Sequence, residues 1–137
     1  MPVYGNDNAV RGQFAFETDE TVEGLHLGNR LVDRLGAPQN PTYTIKVTVS
    51  LSERAATITA EGDSARFNVI GIATWSVVNN ASGQQITSGR TEAFTSYAAT
   101  SSTVATQATR DDARKRLSVI LADMIVTRVI AASEDLA

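Results

Sequence analysis

The sequence predicts an α+β fold, with two helices packed on one face of a four-stranded mixed sheet, in the order strand, helix, strands, helix. Three observations carry this expectation. Tyr43, Ile45, Val47, Val49 and Leu51 alternate without a break against Thr44, Lys46, Thr48 and Ser50. A period of two places the apolar set on one covered face and the polar set on the other. Leu27, Leu31 and Leu35 recur at every fourth position, the period of an amphipathic helix. Ala113, Leu117, Ile120, Leu121 and Met124 repeat the three-and-four spacing near the C-terminus, with Ile125 and Val129 widening the stripe and Arg128 continuing it.

The elements follow in order. Residues 5–11 are polar and rich in Gly and Asn, and residues 1–11 read as flexible. Gln13 to Glu17, with Phe14 and Phe16 separated by Ala15, reads as a short strand. Gly24 to Leu35 reads as a helix, stopped by Gly36 with Pro38 shortly after. Asp33 and Arg34 fall on its wet side. The Tyr43–Leu51 strand meets a turn or bulge at Ser52-Glu53-Arg54, and Ala56, Ile58 and Ala60 resume the alternation. Glu61 to Ser64 is a turn.

Ala65 to Val78 is a long strand whose odd positions, Phe67, Val69, Gly71, Ala73, Trp75 and Val77, form the core face. Ile70 and Ile72 interrupt its polar even face and imply partial cover there. Asn79 to Gly83 carries hairpin-turn chemistry. Gln84 to Tyr97 is the returning strand, and a bulge between Phe94 and Tyr97 is required if Ile86, Phe94 and Tyr97 all face inward. Ala98 to Ala108 is almost wholly Ala, Thr and Ser and reads as loop or helix entry. The last helix is expected from Thr109 to about Ala132, with Thr109 and Asp112 imitating a capping box and Asp111 and Asp112 in the first turns. Ser133 to Ala137 is read as a frayed tail. A helix between the first two strands allows them to be parallel, and the later hairpins are antiparallel. The 137 residues form one domain, with no repeat and no linker.

Composition excludes several function classes. Net charge is −3, so no global positive field gathers nucleic acid. Ten of the twelve cations are Arg, suited to forked contacts with phosphate or carboxylate. There is no Cys, which removes disulfides, thiolate chemistry and Cys-based metal sites. No run of about eighteen apolar residues exists to span a bilayer as a helix. No signal peptide is visible at Met1, which leaves a cytosolic chain or one trimmed of its leader.

Catalysis lacks its parts. His26 is the single histidine and has no His or Cys to share a metal with. Asp111 and Asp112 are adjacent on a helix and point about 100° apart, so they do not converge on one substrate atom. No Ser sits in a Gly-x-Ser-x-Gly elbow, and no Gly-rich phosphate loop is present. The chain is expected not to be an enzyme, and no cofactor or metal is implied. Two sets of residues remain. One is the cations Arg54, Arg66, Arg90, Arg110, Arg114, Lys115 and Arg116, of which the helical triplet at 114–116 spreads around its axis and reads as mostly solvated. The other is the aromatics Trp75, Phe94 and Tyr97. Trp75 reads as core, and Phe94 and Tyr97 are the candidates for a partner interface.

Arg66-Phe67-Asn68-Val69-Ile70-Gly71-Ile72-Ala73-Thr74-Trp75 resembles the central strand of the LPS-assembly lipoprotein family LptE. Ser88-Gly89-Arg90 through Phe94, then Tyr97-Ala98, resembles its next strand. Ala105 through Arg128, with Arg110-Asp111-Asp112-Ala113-Arg114 and Ile120-Leu121-Ala122-Asp123, resembles its C-terminal helix. Pro2-Val3-Tyr4-Gly5 is similar to the segment after that family's lipidated cysteine. The resemblance covers nearly the whole chain, and its strength lies in the order and spacing of the motifs. It implies the same two-helix, four-strand fold. It also implies an outer-membrane lipoprotein on the periplasmic face, seated as a plug in the β-barrel translocon LptD and helping to deliver lipopolysaccharide, with no covalent chemistry. The chain departs from the family in having neither lipobox nor cysteine, so membrane contact is expected only through an N-terminal lipid anchor that it lacks. Arg54 and Arg66, at strand ends beside the Glu61–Ser64 turn, are the leading lipopolysaccharide-binding candidates, followed by Arg90, because forked Arg contacts suit lipid A phosphates. The alternative is a stand-alone small-ligand module of the envelope or cytosol, with a closed apolar pocket.

Overall fold

A computed structural model describes residues 11–58, 65–99 and 102–136. The element order is β1 (Phe14–Thr18), α1 (Val22–Leu35), β2 (Tyr43–Ile58), β3 (Ala65–Asn79), β4 (Gln85–Ala99) and α2 (Thr103–Leu136). The sheet order is β1-β2-β3-β4. β1 runs parallel to β2, and the other two pairings are antiparallel. This is the mixed α+β sheet that the alternation and the intervening helix predict. The expectations for residues 1–10 and for the Glu61–Ser64 turn lie outside the described residues.

Parity decides the core. Ile45, Val47, Val69, Ala73, Trp75 and Val77 are all odd-numbered, cross-strand neighbours and buried. They face Leu27, Leu31 and Leu35 of α1 and Leu117, Leu121 and Ile125 of α2, each of them fully buried. The close approach of α2 depends on Gly71, where a Cβ would stand 2.8 Å from Leu51, 2.9 Å from Leu121 and 3.0 Å from Leu117. Thr21 caps α1, its hydroxyl accepting from the Gly24 amide at 2.9 Å. Gly36, at φ 84°, ends the helix in a backbone region that suits Gly. Phe14 and Tyr43 stack across the parallel pair, their ring centroids 5.6 Å apart. One residue past β1, the Asp19 carboxylate accepts from the Val49 amide at 2.9 Å, taking the place of a further strand residue.

Several sequence expectations change. β2 continues through Ser52-Glu53-Arg54, and its one irregularity lies between Ala55 and Thr57. No bulge separates Phe94 from Tyr97, because Phe94 points outward and the parity conflict does not arise. The irregularity of this hairpin falls between Val77 and Val78, where Ile86 is skipped.

α2 begins at Thr103, not Thr109, because Ser102 supplies the cap by accepting from the Ala105 amide at 3.2 Å. Thr109 is therefore interior and donates to the Thr106 carbonyl. Asp112 pairs with Arg116 instead of closing a capping box, and neither it nor Asp111 lies in the first turn. The helix also continues to Leu136.

The buried arc of α2 runs through Ala113, Leu117, Ser118, Leu121, Ala122, Ile125, Val126 and Val129. Ile120 and Arg128 lie outside it. The helix packs on the sheet and against α1 together, and that double contact turns the arc toward Ser118, Ala122 and Val126.

Candidate functional site: the open face of the sheet

The even-numbered residues of β3, of β2 up to Arg54 and of β4 from Ser88 share the face opposite the helices. Three cross-strand rows define its distal half. Arg54, Asn68 and Ser96 form one, Ser52, Ile70 and Phe94 the next, and Ser50, Ile72 and Glu92 the third. Among the described residues no element covers them, and Phe94 is 69% exposed. Asn68, Ile70, Glu92, Ala93 and Phe94 line a shallow open hollow here.

Arg66 lies two residues along β3 from Asn68, the partner of Arg54, which makes the two cations diagonal neighbours on this face. The Arg66 guanidinium donates to Ser96 Oγ at 3.0 Å. The face thus joins a basic end to an apolar middle. Arg90 belongs elsewhere. It is opposite Thr74, eight residues along β3 from Arg66, about 26 Å at the usual rise. It pairs with Glu92 of its own strand, at 3.8 Å.

Phe94 and Tyr97 lie on opposite faces. Phe94 is outward beside Ile70, whereas Tyr97 is 8% exposed on the helix side, stacked on Phe67 with centroids 5.5 Å apart. The Tyr97 hydroxyl donates to Glu53 Oε1. Glu53 Oε2 accepts from Arg110 Nε and Arg114 Nη1, both at 2.7 Å, and Arg114 also reaches Glu23 at 2.7 Å. This network closes the helix-side core where the apolar residues of β2 run out.

Burial alone raises the Glu53 carboxyl, but the hydrogen bonds from Tyr97 and Arg110 outweigh it and hold the group below the usual carboxylate range. Glu23 shows the same balance, with burial opposed and outweighed by Arg114. Burial and the bond to Glu53 push the Tyr97 hydroxyl up. A second clamp ties the helices together. Asp123 Oδ1 accepts from Arg30 Nε at 2.8 Å and from Arg34 Nη1 at 3.0 Å. The bond from Arg30 keeps that carboxyl low, against a smaller opposing effect of burial.

The triplet at 114–116 reads as mostly solvated, and Arg114 is its inward member, 23% exposed. It is drawn in because Glu53 occupies an inward position of β2 and needs a cation. The signal was present in the sequence, since 53 continues the odd parity of 43 to 51, but reading a turn at Ser52–Arg54 hid it. These carboxylates are all engaged by guanidinium groups, which leaves no free general base among them. Among the described residues no group of three or more His, Cys, Asp or Glu is placed to hold a metal ion. No helix there is long and apolar enough to cross a membrane.

Fold and site together define a helix-backed four-stranded sheet whose other face is open among the described residues. The lipopolysaccharide-assembly family LptE matches residues 13–129, and the chain belongs to that family. Three solved structures show the same fold. A lipoprotein structure from Caulobacter crescentus CB15 has TM-score 0.78 at 19% identity, covering 97% of this chain and 98% of that one. The rare lipoprotein B of Shewanella oneidensis has TM-score 0.67 at 14% identity, covering 90% and 98%. A minor lipoprotein of Acinetobacter baumannii has TM-score 0.55 at 14% identity, covering 89% and 92%. No curated protein matches the sequence.

Proposed function

We propose that this chain is a non-catalytic periplasmic component of lipopolysaccharide transport at the outer membrane. In this reading it sits as a plug in the barrel translocon LptD and presents lipopolysaccharide for delivery to the outer leaflet. Family membership over residues 13–129 carries the reading. The geometry supports it in two ways. The core is self-contained, with both helices on one side of the sheet, so a surrounding barrel has a rigid body to grip. The open face pairs Arg54 and Arg66 with Ile70, Ile72 and Phe94, matching a ligand with anionic phosphates at one end and acyl chains beside them. Phe94 is the aromatic that the proposal places on the contact surface, whereas Tyr97 is turned to the helix side and bonded to Glu53.

The test has two arms. Co-purification of the lipidated protein with LptD reports on the plug. Binding of purified lipopolysaccharide by the R54E/R66E variant reports on the face, and weaker binding is expected. Unchanged binding at moderate salt removes these two residues from the proposal. A stand-alone small-ligand module calls for an enclosed apolar pocket, whereas the hollow beside Phe94 is open to solvent.

A further inference from the structure

β4 is an edge strand, with β3 as its one neighbour in the sheet. It runs for fifteen residues and contains no Pro. Proteins usually blunt such an edge with Pro, bulges, short strands or charge, because its unpaired amides and carbonyls are a template for another strand. The charges in the middle of β4 are Arg90 and Glu92, two residues apart on the same face, 60% and 56% exposed. They do not repel a copy of themselves. Thr91 lies between them. It is 2% exposed on the helix side, and among the described residues its Oγ1 has no hydrogen-bond partner. A buried hydroxyl without a partner is costly and uncommon.

We propose that β4 pairs antiparallel with β4 of a second copy of this chain, with Thr91 on the two-fold axis. A dyad perpendicular to the sheet must pass through a residue position, and charge selects which one. Centring on Arg90 or on Glu92 sets like charges opposite each other. Centring on Thr91 sets Arg90 opposite Glu92 of the second copy, twice, and opposite-charge cross-strand pairs are stabilising. The same register brings the two Thr91 hydroxyls face to face, where one donates to the other. It also puts Ser88 opposite Phe94 and Gly89 opposite Ala93, so the exposed Phe94 ring meets a small neighbour. The closed wall of a barrel has no free strand edge to offer, so it is not the occupant of this edge. The inference concerns the free protein and stands apart from the plug reading.

Light scattering and sedimentation velocity across a concentration series test it. The protein is expected to form a dimer. R90E and E92R are each expected to raise the dimer dissociation constant roughly tenfold, through loss of two cross-strand pairs and gain of like-charge contacts. The double variant R90E/E92R is expected to recover the affinity, because the swapped charges are again complementary. Far-UV circular dichroism checks that each variant remains folded. The chain has no cysteine of its own, so T91C introduces a single one. Under mild oxidation T91C is expected to give a disulfide-linked dimer much faster than V104C, whose site is fully outward at the start of α2. A protein that stays monomeric at every concentration overturns the proposal, as does a dimer indifferent to the two single charge reversals.

Discussion

Glu53 and Arg114 meet at 2.7 Å across 61 residues of chain, and the same carboxylate oxygen accepts from Arg110. The contact ties the outer half of β2 to the middle of α2 beyond the reach of the apolar core. It replaces leucine-type packing by charge, at a place where Glu53 and Arg114 are 18% and 23% exposed.

Removing that carboxylate takes the acceptor from Arg110 and the Tyr97 phenol and leaves Arg114 with Glu23 alone. Glu53→Ala is expected to lower stability by about 2–3 kcal/mol, the range for hydrogen bonds to a charged group. Tyr97→Phe removes one of the three donors and is expected to lower it by about 1 kcal/mol. Urea denaturation followed by circular dichroism measures both. An Ala variant as stable as the parent means that the network contributes nothing.

The pH dependence follows from the same groups. Glu53, Glu23 and Asp123 all titrate below their ordinary values in the folded protein. The unfolded chain then binds more protons than the folded one across the intervening range, so stability rises with pH there. The contribution is complete above the ordinary carboxylate values, about 4. It is lost as pH falls through the lower, folded ones. Thermal melts from pH 7 down to pH 3 are expected to be flat at first and then to fall, and the E53Q/D123N variant is expected to show a shallower fall.

Gly71 is where the helix layer meets the sheet. Gly71→Ala forces a Cβ against Leu51, Leu117 and Leu121, and overpacking of this kind costs about 1–3 kcal/mol. The denaturation midpoint of the variant is the readout, and wild-type stability would show that α2 can lift off the sheet freely.

Phe94 separates binding from folding. Its ring is mostly in solvent, so Phe94→Ala is expected to change stability by no more than about 0.5 kcal/mol. The same variant is expected to weaken lipopolysaccharide binding measured by titration calorimetry. Equal binding by parent and variant takes Phe94 out of the contact surface.

The strands were legible because alternation is a local signal. Tyr43 to Leu51 and Val69 to Val77 state their own parity. α1 was legible because its leucine spacing and its Gly36 stop agree. The start of α2 was not, since Thr103 to Ala108 is small and polar and has no apolar period to mark it. Its cap depends on one hydroxyl, that of Ser102, in a run of hydroxyl residues. The open face could be read from parity, and so could the exposure of Arg54 and Arg66. Their grouping depends on the β2–β3 register, which the irregularity after Ala55 shifts. The Glu53 cluster gathers residues from α1, β2, β4 and α2, and no window along the chain contains them together.

The Asp19 carboxylate gives the two margins of the sheet different futures. The β1 margin is a strand of only five residues, past whose end the Asp19 carboxylate takes the next β2 amide, whereas the β4 margin runs for fifteen. A long edge is a better template for strand addition than a short one, so the proposed pairing at β4 would leave only the short β1 margins outward. The architecture favours a finite pair over a fibre.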